Sequence, residues 1–151
     1  MDYVIELQTD VEADDVDPPA LELLAARALE AESVPHPAEL SIVLTDDATV
    51  QRLNRTYRGA DTPTDVLSFA QSEGDEFAAP EGEAPHLGDV IISLDTARRQ
   101  AAEYGLAPQD EVSHLLVHGI LHLLGYDHEQ PEDARIMRAH EDAILGEAHH
   151  H

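Results

Sequence analysis

The chain has 151 residues and no cysteine, so it is about one domain in size, and disulfides, thiolate zinc sites and thiol nucleophiles are excluded. Its 32 acidic residues face 8 arginines and no lysine, a formal net charge of −24 that repels nucleic acid at long range and keeps a protein soluble in concentrated salt. Hydrophobic residues make up 42%, enough for a core rather than a disordered chain, and the acidity fits either a salt-adapted cytoplasm or an ordinary acidic enzyme.

Residues 3–9, YVIELQT, alternate and carry β-branched side chains, which predicts a strand. After the turn-rich DVDPP, Leu and Ala recur at helical spacing over 19–32. A second strand is expected at 39–45, ELSIVLT. TDD then offers N-caps for a helix over roughly 46–57. The loop GADTPTD leads to a third strand, VLSFA, and a fourth, GDVIIS at 88–93, follows the Gly-, Pro- and Glu-rich segment 71–86, read as a mobile loop. Ser93 caps the next helix, which ends near Gly105. Pro108 opens a central histidine-bearing helix that stops at Gly125, and Pro131 starts a last amphipathic helix.

The order β-α-β-α-β-β-α-α-α argues for an α/β (α+β) fold, a single-layer, mostly parallel four-stranded sheet with helices packed on it. The expected division is one domain over 1–148, with HHH at 149–151 read as a tag remnant rather than a native tail and kept out of any site. The opening MDYVIELQTD lacks the pattern of a signal peptide. The longest apolar segment, 115–124, is interrupted by His118 and His122 and falls far short of a membrane span of about 20 residues. A soluble cytoplasmic protein is expected.

The stretch HGILHLLGYDH, 118–128, puts three histidines into a leucine-rich segment. Residues four apart share one helix face, about 6 Å along the axis, so His118 and His122 can point at one ion. Gly125 tolerates the left-handed backbone that ends helices, and His128 returns three residues later. Three imidazoles without a thiolate describe a catalytic-type zinc site, one Zn2+ per chain, with a fourth position left for water. The bland alternative, three satisfied histidines, is weakened by that glycine break. His114 lies one turn earlier on the same stripe. Using it instead of His122 would require the returning chain to climb another turn, so it is assigned to ligand support or packing.

These residues resemble the H-G-x-L-H-L-x-G-Y-D-H signature of the YbeY family, bacterial metal-dependent endoribonucleases implicated in ribosomal RNA maturation and ribosome quality control. LNRTYRGADTPTDVLSF, 53–69, is similar to that family's L-N-x-x-Y-R-x-x-x-x-P-T-D-V-L-S-F block, and LGDVIIS, 87–93, agrees as well. The resemblance covers nearly the whole chain; the acidic loop 71–86 and the net charge depart from it. It implies a zinc-dependent, single-strand-specific endoribonuclease acting in 16S rRNA 3′-end maturation. The implied partners are ribosomal RNA, the 30S subunit, ribosomal proteins and an assembly GTPase, with no membrane.

The chemistry can be weighed residue by residue. Zincin proteases carry H-E-x-x-H with the glutamate as general base; here that position is Gly119, which counts against the alternative of a peptide or amide hydrolase. A non-catalytic assembly factor with a structural metal is the other alternative, and it would normally close the site with four protein ligands. Phosphodiester cleavage by a metal-activated water needs a cation to offset transition-state charge. Arg58 reads on its own either as such a cation or as a solvated arginine paired with acids; the resemblance marks it as functional. Arg52, Arg55 and Arg58 fall at i, i+3 and i+6 and make a local basic strip for an RNA backbone, although pairing with acids is the simpler fate of the first two. Asp127 orients a ligand, assists proton transfer or only shapes the turn. The resemblance places Thr64 and Asp65 as braces of the site. With four Tyr and two Phe, a multi-base stacking platform is not expected.

Overall fold

The computed structural model describes residues 3–62, 64–70, 86–126 and 130–146. The element order is β1 (Tyr3–Thr9), α1 (Pro18–Ala31), β2 (Ala38–Thr45), α2 (Asp47–Arg58), β3 (Val66–Ala70), β4 (His86–Ser93), α3 (Leu94–Tyr104), α4 (Pro108–Leu123) and α5 (Pro131–Leu145). The segment read as a loop at 71–86 lies outside the described residues except for His86, which begins β4. The terminal HHH also lies outside them.

Local chemistry explains the boundaries. Asp17 and Asp46 cap α1 and α2 by accepting from the backbone N–H of Ala20 and Thr49. Ser93 does the same for Thr96 at the start of α3, 3.3 Å away. Its hydroxyl also donates to Asp47, 2.5 Å away, which joins the N-termini of α2 and α3. Prolines stand in the first turn of α1, α4 and α5, where a missing N–H costs nothing. The end of α4 is a Schellman stop: Gly125 N–H donates to His122 O and Tyr126 N–H to Leu121 O, both at 3.0 Å, with Gly125 at φ +107.

The sheet order is β1-β2-β4-β3. β1, β2 and β4 run parallel; β3 is an edge strand antiparallel to β4. One sheet face, bearing Leu40, Ile42, Leu44, Val90 and Ile92, packs under α1 and α4, with α5 laid against those two helices, and holds most of the core. The other face is covered near β3 by α2, whose Val50 and Leu53 meet Leu67, Phe69 and Ile91. Alternation along the strands dictates this division, since successive side chains point to opposite faces.

Two glycines let α4 come unusually close to the β3–β4 ribbon. A Cβ on Gly119 would lie 2.7 Å from Val90 Cγ1 and 3.1 Å from Ser68 Oγ. One on Gly88, at φ +148, would lie 2.3 Å from the Phe69 carbonyl oxygen and 2.7 Å from Leu123 Cδ2. The contact is closed by Ser68 Oγ, which donates to Gly119 O at 2.8 Å. No described helix is long and apolar enough to cross a membrane.

Candidate metal centre

A cavity of about 630 Å³ opens where the last turns of α4 pass the edge strand β3; it is lined by Asn54, Arg58, Thr64, Asp65, Ser68, His118 and His122 together with apolar neighbours. His118 and His122 enter it from α4, their ring centroids 4.9 Å apart. His122 also stands in the last turn of its helix, where the macrodipole favours a cation.

Glu141 on α5 completes the setting of His118. Its Oε2 lies 2.6 Å from His118 Nδ1. An ionised carboxylate only accepts, so Nδ1 carries the proton and Nε2 is left as the lone-pair nitrogen a metal requires. Burial of Glu141 resists its ionisation. The hydrogen bond from His118, with the charge of Arg138, outweighs that and holds its carboxyl below the usual glutamate value. The donor chemistry therefore fits a divalent metal at His118 and His122.

His114 sits one turn back, its ring centroid 6.4 Å from that of His118, and lines a smaller neighbouring cavity of about 130 Å³ with Asp65, Gln100 and His118. His128 and Asp127 lie outside the described residues, and among the described residues no group of three metal-binding side chains converges. The last described residue before them, Tyr126, is anchored firmly. Its hydroxyl lies 2.6 Å from Glu32 Oε1, and Glu32 Oε2 meets His140 Nδ1 at 2.8 Å. The hydrogen bond to Glu32, burial and the Glu32 charge push the Tyr126 hydroxyl up to about 12.

Opposite the histidines stands Arg58. It reaches the cavity from α2, past the edge of β3: its Nη2 donates to Ser68 O, and its Cζ sits 5.0 Å from the centre of the Phe69 ring. Gly59, at φ +72, ends α2 directly after it. Asn54 then pins the descending loop, donating from Nδ2 to Thr62 O at 2.9 Å. That delivers Thr64 and Asp65 to the cavity wall, where Asp65 accepts from Gln100 Nε2 at 3.3 Å. The other two arginines of the expected strip do not line the cavity. Arg55 is exposed and 3.6 Å from Asp61, and Arg52 is exposed with Asp46 among the charges it acts upon.

Sequence reasoning missed Glu141, Asn54 and Ser68. Glu141 left one trace: it occupies the apolar stripe of α5 between Met137 and Ile144, where an unpaired acid would be costly.

The family model described as endoribonuclease YbeY matches residues 6–149. An endoribonuclease YbeY from Roseiflexus castenholzii is 52% identical over 132 residues, 87% of this chain and 83% of that protein. One from Pelotomaculum thermopropionicum is 50% identical over 143 residues, 95% of this chain and 93% of the relative. A solution structure from Thermotoga maritima superposes with a TM-score of 0.58 at 24% identity, covering 96% of this chain and 91% of that one, which supports the fold. With a matching model over nearly its whole length and relatives half identical to it, the chain belongs to the endoribonuclease YbeY family.

Proposed function

We propose that this chain is a zinc-dependent endoribonuclease specific for single strands, that it acts in 16S rRNA 3′-end maturation and ribosome quality control, and that the α4–β3 cavity is where it cleaves. The observation that carries the reading is the meeting, in one cavity, of a histidine pair from one face of the sheet and Arg58 from the other. His118, His122 and His128 would hold one zinc ion. When bound, it supplies Lewis acidity and an acidified water.

The chain's own groups do the rest. Arg58 presents a planar fork to the phosphate oxygens and offsets the charge that builds on them during attack. Glu141 holds His118 in the tautomer that offers Nε2. Thr64 and Asp65 brace the wall, Asp65 held by Gln100 and the loop before Thr64 held by Asn54 on the Thr62 carbonyl. Asp127 orients its neighbour or carries a proton. Arg52 and Arg55 meet flanking phosphates, giving an anion local footing on a protein of net charge −24. The 30S subunit, ribosomal proteins and an assembly GTPase are its partners in this reading, and the cytoplasm its location.

Peptide hydrolysis finds no support, because Gly119 is pressed against Val90, Ser68 and Val66 and no glutamate fits there. The test is cleavage of purified ribosomal RNA by zinc-analysed protein, with and without chelator, and with the new ends mapped. Metal-dependent cuts in unpaired RNA are expected. Intact RNA after incubation with zinc-loaded protein would remove the reading.

A further inference from the structure

Among the described residues, Tyr57 is one of the few large apolar side chains left exposed, at 66%. It directly precedes Arg58 on α2, and its ring meets Phe69 at 5.5 Å between centroids with an interplanar angle of 66°. Phe69 in turn lies under the Arg58 guanidinium, which lines the cavity of His118 and His122. One braced, solvent-facing aromatic ring therefore adjoins the cation that faces the metal site. Tyr3 and Tyr126, by contrast, are tied into the body of the fold through their hydroxyls.

A nucleotide carries an anionic phosphate and a flat π-face within a few ångströms of each other. A phosphate at Arg58 brings its own base, or the next one, over Tyr57. Aromatic rings beside a cationic groove are the usual means of holding unpaired bases without reading their edges. A base inside a duplex has both faces covered by its neighbours and cannot reach such a ring.

We infer that Tyr57, braced by Phe69, is a stacking site for a single unpaired nucleobase next to the phosphate held at Arg58. This rests on the RNA reading above and gives it a physical basis for preferring single strands. One ring suffices, in a chain too poor in aromatics for a longer platform.

The experiment uses zinc-loaded protein and a short unstructured oligoribonucleotide, with a series of oligonucleotides carrying one abasic residue at successive positions. Tyr57→Ala should raise KM between about fivefold and about 150-fold, the loss of one stacked base, and leave kcat unchanged. Tyr57→Phe should behave as the parent does, since stacking does not use the hydroxyl. One abasic position should weaken the parent protein by the same factor and add nothing to Tyr57→Ala. Urea melts check that the exposed substitution leaves the fold intact. Cleavage by Tyr57→Ala with an unchanged KM, a loss confined to kcat, a loss shared by Tyr57→Phe, or a penalty at every abasic position that adds to that of Tyr57→Ala would each overturn the stacking site alone. A parent protein that neither binds nor cleaves the oligonucleotide would overturn the RNA reading and the stacking site with it.

Discussion

Glu141 Oε2 lies 2.6 Å from Nδ1 of His118, so a carboxylate on α5 sets the proton position of a histidine in the second-last turn of α4. The pair is 23 residues apart in sequence and nearly buried on the Glu141 side. If His118 is a ligand, Glu141→Ala should lower zinc affinity about 10- to 100-fold while the helix content is kept. Glu141→Gln, which keeps an accepting oxygen, should lose less. His118→Ala and His122→Ala should abolish stoichiometric zinc, and His114→Ala should largely retain it. Competition against a chromophoric chelator measures all five, and a His114 variant as metal-poor as His118→Ala would reassign the ligands.

Gly119 makes a packing prediction. In Gly119→Ala the new methyl meets Val90 Cγ1 at 2.7 Å and Val66 Cγ2 at 3.1 Å. Overpacking of this kind costs about 1–3 kcal/mol, set against a gain of about 1 kcal/mol from replacing a glycine inside a helix. A net loss in urea stability is expected, and Gly119→Glu should not fold at all. A folded Gly119→Glu protein that hydrolyses peptides would reverse both the packing argument and the rejection of a protease.

The order of elements was legible because its signals are local: Asp46 and Ser93 as caps, Pro108 and Pro131 as helix starts, Gly125 as a stop. What escaped was long-range. Nothing in VLSFA says that β3 turns antiparallel at the sheet edge, or that α2 covers the opposite face beside it. That placement is why, of Arg52, Arg55 and Arg58, Arg58 alone lines the cavity. Only the last of them stands where β3 ends the sheet and the cavity begins. The motif HGILHLLGYDH pointed to the histidines through periodicity and resemblance. It could not reveal Glu141, whose role exists only once α5 packs on α4.

Asp47 yields a pH dependence. Burial raises its carboxyl. Hydrogen bonds from Ser93, Thr96 and Arg99, at 2.5, 2.6 and 2.9 Å, outweigh that and hold it below 3.8. A depressed folded-state value means stability that is fully present above 3.8 and lost as pH falls through the folded value. Asp47→Ala should therefore cost about 1–3 kcal/mol near neutral pH, with the gap to the parent protein narrowing in acid. Urea titrations across that range check the sign. A gap that widens in acid would show that the carboxylate is not the stabilising form.

The charge of −24 makes a separate forecast. The Debye length falls from about 10 Å at about 0.1 M salt to about 3 Å at about 1 M, so screening should relieve repulsion among the acids. If the composition is an adaptation to saline conditions, the melting temperature should rise between those two concentrations. A flat or falling melting temperature would leave the acidity without that explanation.

Arg58 separates an enzyme from a scaffold. It is exposed, it is not a candidate metal ligand, and its hydrogen bond to Ser68 O and its place over Phe69 hold it at the cavity mouth. Truncating it should leave the fold and zinc content intact, so metal analysis is an internal control. If the guanidinium offsets transition-state charge, Arg58→Ala should lose on the order of 10²–10³ in cleavage rate, the cost of about 2.7–4 kcal/mol seen when one preorganised donor to a developing anion is removed. Arg58→Lys should recover only part of that, because a point charge cannot reproduce the bidentate fork. A scaffold protein predicts otherwise: RNA binding weakened modestly by the lost charge, and no cleavage to lose. Zinc-loaded Arg58→Ala that cleaves at the parent rate would return Arg58 to an ordinary surface arginine packed on Phe69, and the chemistry would then have to come from the α4 histidines alone.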